Sequence, residues 1–316
     1  MNTIPTTTTS TETTTARKPI YQVKKSWLGI SDWIVDKVGV RPATWNFILK
    51  VFRLIVKGSK HMDTPVFGPI YKRLMKFTPE EKTYSHGTIL PLNVDVSEQG
   101  ESKVLPIDLV KDLLRKASYI ASANVCLCRD ANNCQTYPKD VCCLFLSNSG
   151  RTVVEHKVGY EISLEDALAR VDKAAELGLI GQALWVEVEQ YIWGFSNQTM
   201  ETFIEMCFCC PCCCVGFNLS KNASRDVKKR FRPSGWTALV DADLCIGCGA
   251  CMEPCPQAAI TMGENGKIEI NQDYCVGCGI CKQHCNENAI RINQTMPMLA
   301  SVQEYFLRDG RLNMKI

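Results

Sequence analysis

The strongest constraint in the chain is a cysteine pattern that occurs twice. Residues 245–255 read Cys245-Ile-Gly-Cys248-Gly-Ala-Cys251-Met-Glu-Pro-Cys255, and residues 275–285 read Cys275-Val-Gly-Cys278-Gly-Ile-Cys281-Lys-Gln-His-Cys285. Each run is C-x2-C-x2-C-x3-C, and the second lies 30 residues after the first. Three thiolates at that spacing wrap one face of an iron–sulfur cubane, and the fourth cysteine of each run serves the other cube. The glycines between them let the backbone curl close to the sulfides. The spacing predicts two [4Fe–4S] clusters, one on Cys245, Cys248, Cys251 and Cys285 and one on Cys275, Cys278, Cys281 and Cys255. Zinc fits poorly, because its sites use two cysteine pairs separated by a longer loop.

The two runs and their flanks resemble the bacterial-type two-cluster ferredoxin domain over about residues 236–294. Each run leads through a small apolar stretch (Ala258-Ala259-Ile260 and Asn288-Ala289-Ile290) into an expected strand. Gly263–Gly266 reads as a hairpin turn and Lys267–Ile270 as its return strand. One departure is Asn286, which stands where the first run has Pro256. That position is not a ligand, so the assignment is unaffected. The resemblance implies a ferredoxin-like fold with pseudo-two-fold symmetry and single-electron transfer as its task.

Eleven of the 19 cysteines lie elsewhere, between residues 126 and 214. The first group holds Cys126, Cys128, Cys134, Cys142 and Cys143, and the second holds Cys207, Cys209, Cys210, Cys212, Cys213 and Cys214. Bare thiols packed so densely would be hazardous, and inert buried cysteines are scattered rather than bunched. A further metal site is therefore expected, and iron in the same chain favours an Fe–S cluster over zinc. None of the four histidines falls in either group, so the ligands are thiolates or include oxygen. The candidates are Cys126, Cys128, Cys134, Cys143, Cys209, Cys210, Cys212 and Cys213, with Cys142, Cys207 and Cys214 secondary. The ligand set among them is open on sequence alone. Arg129 and Lys139 stand ready to neutralise an anionic substrate or a reduced cluster, and Asp130 or Tyr137 to donate a proton. The alternative is that all four are ordinary turn polarity. The run C-x-C-R…C…Y-P…C-L-F-L followed by C-x-C-C-P-C-C-C is similar to uncharacterised anaerobe and archaeal proteins. Those fuse a cysteine-rich domain to a two-cluster ferredoxin domain, and the likeness covers about residues 85–294. The doubled cysteine also resembles the cysteine-rich domains of heterodisulfide reductases, which hold a noncubane cluster. The downstream pattern departs from theirs, which leaves analogy alone.

A length of 316 residues with 46% hydrophobic and 22% charged side chains is ordinary for a globular chain of two domains, and excludes a wholly disordered one. The organisation expected is α+β. A disordered threonine-rich tail (1–19) precedes a helical, cysteine-rich domain (20–220). A basic linker (221–235), the two-cluster domain (236–296) and a C-terminal tail (297–316) follow. Helical periodicity is clearest at residues 45–57, 107–121 and 164–177, the last capped by Ser163 with Asp166 and ended by Gly178. At residues 45–57 the polar positions Asn46, Lys50, Arg53 and Lys57 share one face. That suits either a core helix or peripheral contact with an anionic membrane. No run of 18 apolar residues exists, and no secretory signal is seen at the start, so the expected location is the cytoplasm, in an anaerobic or low-oxygen cell.

The net charge of +3 hides an acidic stretch at 236–294, with seven acidic and three basic side chains. A pI near 8.0 does not suit a nucleic-acid binder. No nucleotide-binding or nucleophile-elbow motif is present. The expected function is an electron-transfer protein that serves redox partners. The alternatives are a reductase fed by the ferredoxin domain and, less in keeping with the charge, a DNA-binding redox sensor.

Overall fold

The computed structural model describes residues 39–75, 77, 86–93 and 105–307. The threonine-rich residues 1–19 lie outside them. Within them the cysteine-rich part is built on strands β1 (His86–Pro91), β2 (Ile120–Ala123), β3 (Leu144–Leu146), β4 (Gly159–Glu161), β5 (Ile180–Trp185), β6 (Glu205–Cys209) and β7 (Phe231–Pro233). They form one seven-stranded sheet in the order β4-β2-β3-β6-β5-β1-β7. Neighbours are antiparallel except β1 and β7, which are parallel. Every residue of β5 and β6 is buried, as central strands covered on both faces require.

Helices α1 (Trp45–Ser59), α2 (Phe67–Leu74), α3 (Pro106–Lys116), α4 (Leu127–Ala131), α5 (Ser147–Glu155), α6 (Leu164–Glu176), α7 (Glu189–Trp193), α8 (Asn197–Glu201), α9 (Val215–Lys221) and α10 (Arg225–Lys228) surround the sheet. In α6, Ser163 Oγ accepts the Asp166 N–H at 3.0 Å and donates to its carboxylate at 2.7 Å, and Gly178 follows at φ +67°. The helix expected at 107–121 ends at Lys116, and Ile120–Ala123 is strand β2 instead. Pairing with β3 and β4 overrides the local helical spacing there. Helix α1 buries Ile48, Leu49 and Phe52 and leaves Asn46, Lys50, Arg53 and Lys57 exposed, so its inner face belongs to the core.

The C-terminal part pairs β8 (Trp236–Val240) with β11 (Ile290–Gln294), and β9 (Ile260–Met262) with β10 (Ile268–Ile270), all antiparallel. Positive-φ positions recur at the sequence period, with Gly247, Gly249 and Ala258 matched by Gly277, Gly279 and Asn288. The chain as a whole is a mixed α/β protein.

Two expectations about the connections are corrected. Residues 221–235 are not a solvated linker: they carry α10 and β7, and β7 joins the sheet through β1. Their basic side chains meet the acidic C-terminal part of the same chain. Lys221 lies 3.1 Å from Glu253, Arg225 lies 3.7 Å from Asp273, and Lys228 sits over the Tyr274 ring. Residues 297–307 are not a tail, because α12 (Val302–Leu307) docks against α3 and Tyr305 donates to the Ser234 carbonyl at 2.8 Å.

Candidate metal centres

In the C-terminal part, β8–β11 and α11 (Ile280–Gln283) hold the two cysteine runs face to face. A cavity of about 120 Å³ is lined by Cys245, Cys248, Cys251 and Cys285. A smaller one is lined by Cys255, Cys275, Cys278 and Cys281. Each cavity thus gathers three cysteines of one run and the last of the other. Backbone amides point at the sulfurs: Cys275 Sγ accepts from Ala238 and Cys255 Sγ from Ala259, both at 3.3 Å. Gly247 and Gly277 have φ of +70° and +63°, and a Cβ on either would overlap the carbonyl oxygen of Gly266 or Trp236. No other residue type fits so close a backbone cradle. All-thiolate donors, amide hydrogen bonds to sulfur and an apolar lining are what a [4Fe–4S] cluster requires.

The two cavities differ in exposure. Cys248 is exposed, and so are Leu244 and Ile246 near it in the chain. Around the second cavity, Val276 and Ile280 are buried within the core of the N-terminal part, and Cys278 packs against it. Gln257, two residues after Cys255, accepts from Ser220 of α9 at 2.8 Å through its side chain and from Lys228 at 2.8 Å through its carbonyl. Gln283 reaches the Gly178 carbonyl at 3.2 Å. Burial pushes the Cys281 thiol up to about 12, so metal binding there must displace a proton.

The N-terminal cysteines separate by strand geometry. Side chains alternate along β6, which puts Glu205, Cys207 and Cys209 on one face. Cys143 enters from the start of β3, its Sγ 3.1 Å from Cys207, and Cys207 Sγ lies 3.1 Å from Glu205 Oε1. Cys214, at the start of α9, stands 3.3 Å from Cys209, whose Sγ lies 3.4 Å from Gln182 of β5. These four cysteines, with Cys126, Cys128 and Cys210, line a cavity of about 130 Å³ walled by Phe52 and Ile55 of α1 and by Val215 and Leu219 of α9. Cys142 precedes Cys143 and therefore faces the other way, bonded to the Ala123 carbonyl at 3.0 Å and approached by Arg170 of α6. A second group, Cys134, Cys210, Cys212 and Cys213, brings four sulfurs within 4.8 Å of one another. The eight candidates are therefore not one set, and Cys207 and Cys214, secondary on sequence, belong with the cavity.

Arg129 lines the N-terminal cavity, and its guanidinium is held by the protein itself. It is fully buried and donates to the carbonyls of Pro138 at 2.9 Å, Val141 at 2.6 Å and Phe208 at 2.6 Å, tying the first cysteine group to β6. Burial alone would weaken its proton affinity, but the neighbouring sulfurs of Cys126 and Cys210 raise it. A buried cation requires an anion, and metal-bound thiolates would supply it. Asp130 is likewise engaged, accepting from Lys139 at 2.9 Å and from Trp45 of α1 at 2.8 Å. Glu205 is the group the sequence did not single out. Burial raises its carboxyl above the usual range, against hydrogen bonds from Cys143 and Cys207. Its signal was the alternation E-x-C-x-C, legible once β6 is a strand.

Comparison with known proteins agrees with the C-terminal geometry. Residues 238–292 match the family described as a 4Fe-4S dicluster domain. A ferredoxin of Pyrobaculum islandicum is 52% identical over 29 residues, which are 9% of this chain and 27% of that protein. A probable ferredoxin of Methanosarcina thermophila is 44% identical over 35 residues, 11% of this chain and 60% of that protein. The chain thus spans between about a quarter and three fifths of the curated relatives it matches. No solved structure matches it. Residues 238–292 are a 4Fe-4S dicluster domain of the ferredoxin type, an iron–sulfur domain of a class that transfers electrons. Among the described residues, no helix is long and apolar enough to cross a membrane.

Proposed function

We propose that this protein is an iron–sulfur electron carrier whose ferredoxin-type domain exchanges electrons with a further centre in the cysteine-rich domain. The observation that carries the reading is the set of cysteine-lined cavities: one for each C-terminal quartet, and one in the N-terminal part whose volume of about 130 Å³ is close to the 120 Å³ of the first quartet's. Cys245, Cys248, Cys251 and Cys285 would hold one [4Fe–4S] cluster and Cys275, Cys278, Cys281 and Cys255 the other. Cys126, Cys128, Cys143, Cys207, Cys209 and Cys214 surround the place for a third. Such clusters supply one-electron chemistry at potentials set by burial, charge and hydrogen bonds to sulfur. The chain's residues grade those conditions. Cys248 opens the first quartet to an external partner protein, Val276 and Ile280 seal the second against the N-terminal core, and Arg129 brings positive charge to the third.

Iron and acid-labile sulfide per chain test this after anaerobic purification. The wild type is expected to hold about twelve iron atoms in clusters, and Cys143→Ser with Cys207→Ser about eight. About eight in both would leave the N-terminal cavity without a cluster and sink the third centre.

A reductase is the second reading, favoured by Glu205. Its carboxyl, held above the usual range, is a proton store 3.1 Å from Cys207 in an apolar cavity. Electron paramagnetic resonance of the reduced protein separates the two readings. A carrier leaves its signals unchanged on adding disulfide or other small acceptors, whereas a reductase shifts them.

A further inference from the structure

The quartet Cys134, Cys210, Cys212 and Cys213 shares only Cys210 with the lining of the N-terminal cavity; its other three cysteines lie outside every cluster-sized cavity. We infer that it binds one thiophilic divalent ion, Zn²⁺ or Fe²⁺, in a tetrahedral four-thiolate site with no inorganic sulfide. This deepens the proposal of a further N-terminal centre by dividing its cysteines, but it stands on their positions and does not need the third cluster to exist.

The distances decide the nuclearity. A single ion with metal–sulfur bonds of about 2.3 Å at the centre of a regular tetrahedron sets its sulfurs about 3.8 Å apart. Cys134 Sγ and Cys212 Sγ are 3.8 Å apart, and all four sulfurs lie within 4.8 Å of one another. A cubane interposes four irons and four sulfides, so its thiolates stand wider. The protein contains its own comparison: among the described residues, neither C-terminal quartet closes to this mutual spacing.

The surroundings fit a closed ion site. Three ligands come from the tight turn Cys210-Pro211-Cys212-Cys213, and the fourth from the loop after α4. Asn132 Nδ2 donates to the Cys213 carbonyl at 2.9 Å and Asn218 Nδ2 to the Cys212 carbonyl at 3.1 Å, which fixes the turn. Four thiolates on a divalent ion carry a net charge of −2, and the guanidinium of Arg129 lies beside Cys210 to offset it. Cys212 is exposed, which gives an ion its way in. Tetrahedral S₄ coordination suits zinc or iron, and both demand the same ligands.

The test measures zinc, iron and acid-labile sulfide in the full chain, purified anaerobically, for wild type, Cys212→Ser and Cys134→Ser. Each variant is expected to lose about one ion per chain with sulfide unchanged. Loss of zinc identifies a closed structural site, and loss of iron a one-electron centre. Protein produced with Co²⁺ should show the visible bands of tetrahedral thiolate-bound cobalt, and Cys212→Ser should lose them. Loss of about four irons together with sulfide would overturn the inference, since the quartet would then hold a cluster. Unchanged metal and absent cobalt bands would overturn it too. The sulfide count of the wild type reports separately on the clusters, so failure here is distinct from failure of the electron-carrier proposal.

Discussion

At the residue scale, the positions that matter most are those whose partners lie far away in the chain. Arg129 follows Cys128 directly, so its place beside the first cysteine group was legible. Its role was not, because the carbonyls it satisfies belong to Pro138, Val141 and Phe208. Removing it leaves buried carbonyls without donors and a cluster of thiolates without a counter-charge. Arg129→Met should cost about 3–5 kcal/mol and depress N-terminal metal content, measured by thermal unfolding and iron analysis, while the C-terminal irons stay. Arg129→Lys should restore part of the loss, since a lysine keeps the charge but not the fork. Its neighbour Asp130 offers a pH test. Burial would raise its pKa, but hydrogen bonds from Lys139 and Trp45 hold the carboxylate below its usual range. A carboxylate depressed on folding contributes stability above its ordinary pKa and loses it as pH falls through the folded value. Asp130→Asn should therefore lower the unfolding temperature at neutral pH, by an amount equivalent to about 1–2 kcal/mol, and the gap should close in acid. A constant gap at all pH values would show that the carboxylate's charge is not what matters.

At the element scale, the sequence speaks where local rules decide and falls silent where pairing does. The cap at Ser163, the stop at Gly178 and the hairpin from β9 to β10 all follow from residues close to one another, and all are present. Strand β7 does not. It is three residues long, contains Arg232 and Pro233, and exists because β1, about 145 residues earlier, offers it a parallel edge. Two consecutive cysteines make a sharper case. Cys142 and Cys143 look equivalent as letters, but a strand sends neighbours to opposite faces. Cys142→Ser should leave iron content unchanged and Cys143→Ser should lower it; equal losses would mean the alternation does not sort the ligands. Helix α1 keeps both of its readings. Its inner face is core, but Phe47 and Leu54 are exposed, and α2 adds exposed Phe67, Ile70 and Leu74. Lys50, Arg53, Lys57 and Arg73 lie exposed on the same pair of helices and Lys60 on the turn between them, with Asp63 of that turn the acidic exception. Exposed apolar side chains among cations suit an anionic lipid surface. The protein should sediment with phosphatidylglycerol vesicles at low salt and not with phosphatidylcholine, and Leu54→Glu with Ile70→Glu should abolish it. Binding that survives the double variant would place the contact elsewhere.

At the scale of the whole molecule, the question is what holds the ferredoxin-type domain to the cysteine-rich one. The charge asymmetry seen in the sequence suggests ion pairs, and Lys221–Glu253 and Arg225–Asp273 are indeed present. Both pairs are largely exposed, with Glu253 at 90% and Arg225 at 66%, and exposed pairs contribute about 1 kcal/mol or less. They orient the domain without fixing it. Ile280 is 1% exposed and Val276 4%, and both belong to the N-terminal core although they stand between the cysteines of the second run. Truncating a buried isoleucine costs about 2–5 kcal/mol. Ile280→Ala should therefore loosen the docking, whereas Lys221→Ala with Arg225→Ala should change it little. Hydrogen exchange of the amides around Gly178 and Gln257 reports the docking directly, because Gln283 and Ser220 bridge the two parts there. If electrons reach the N-terminal centre through this contact, Ile280→Ala should slow its reduction by an external donor while the ferredoxin-type domain is reduced at an unchanged rate. Iron content unchanged by the substitution would assign the effect to docking. Rapid reduction of the N-terminal centre despite fast exchange at the interface would show that electrons enter it by another route.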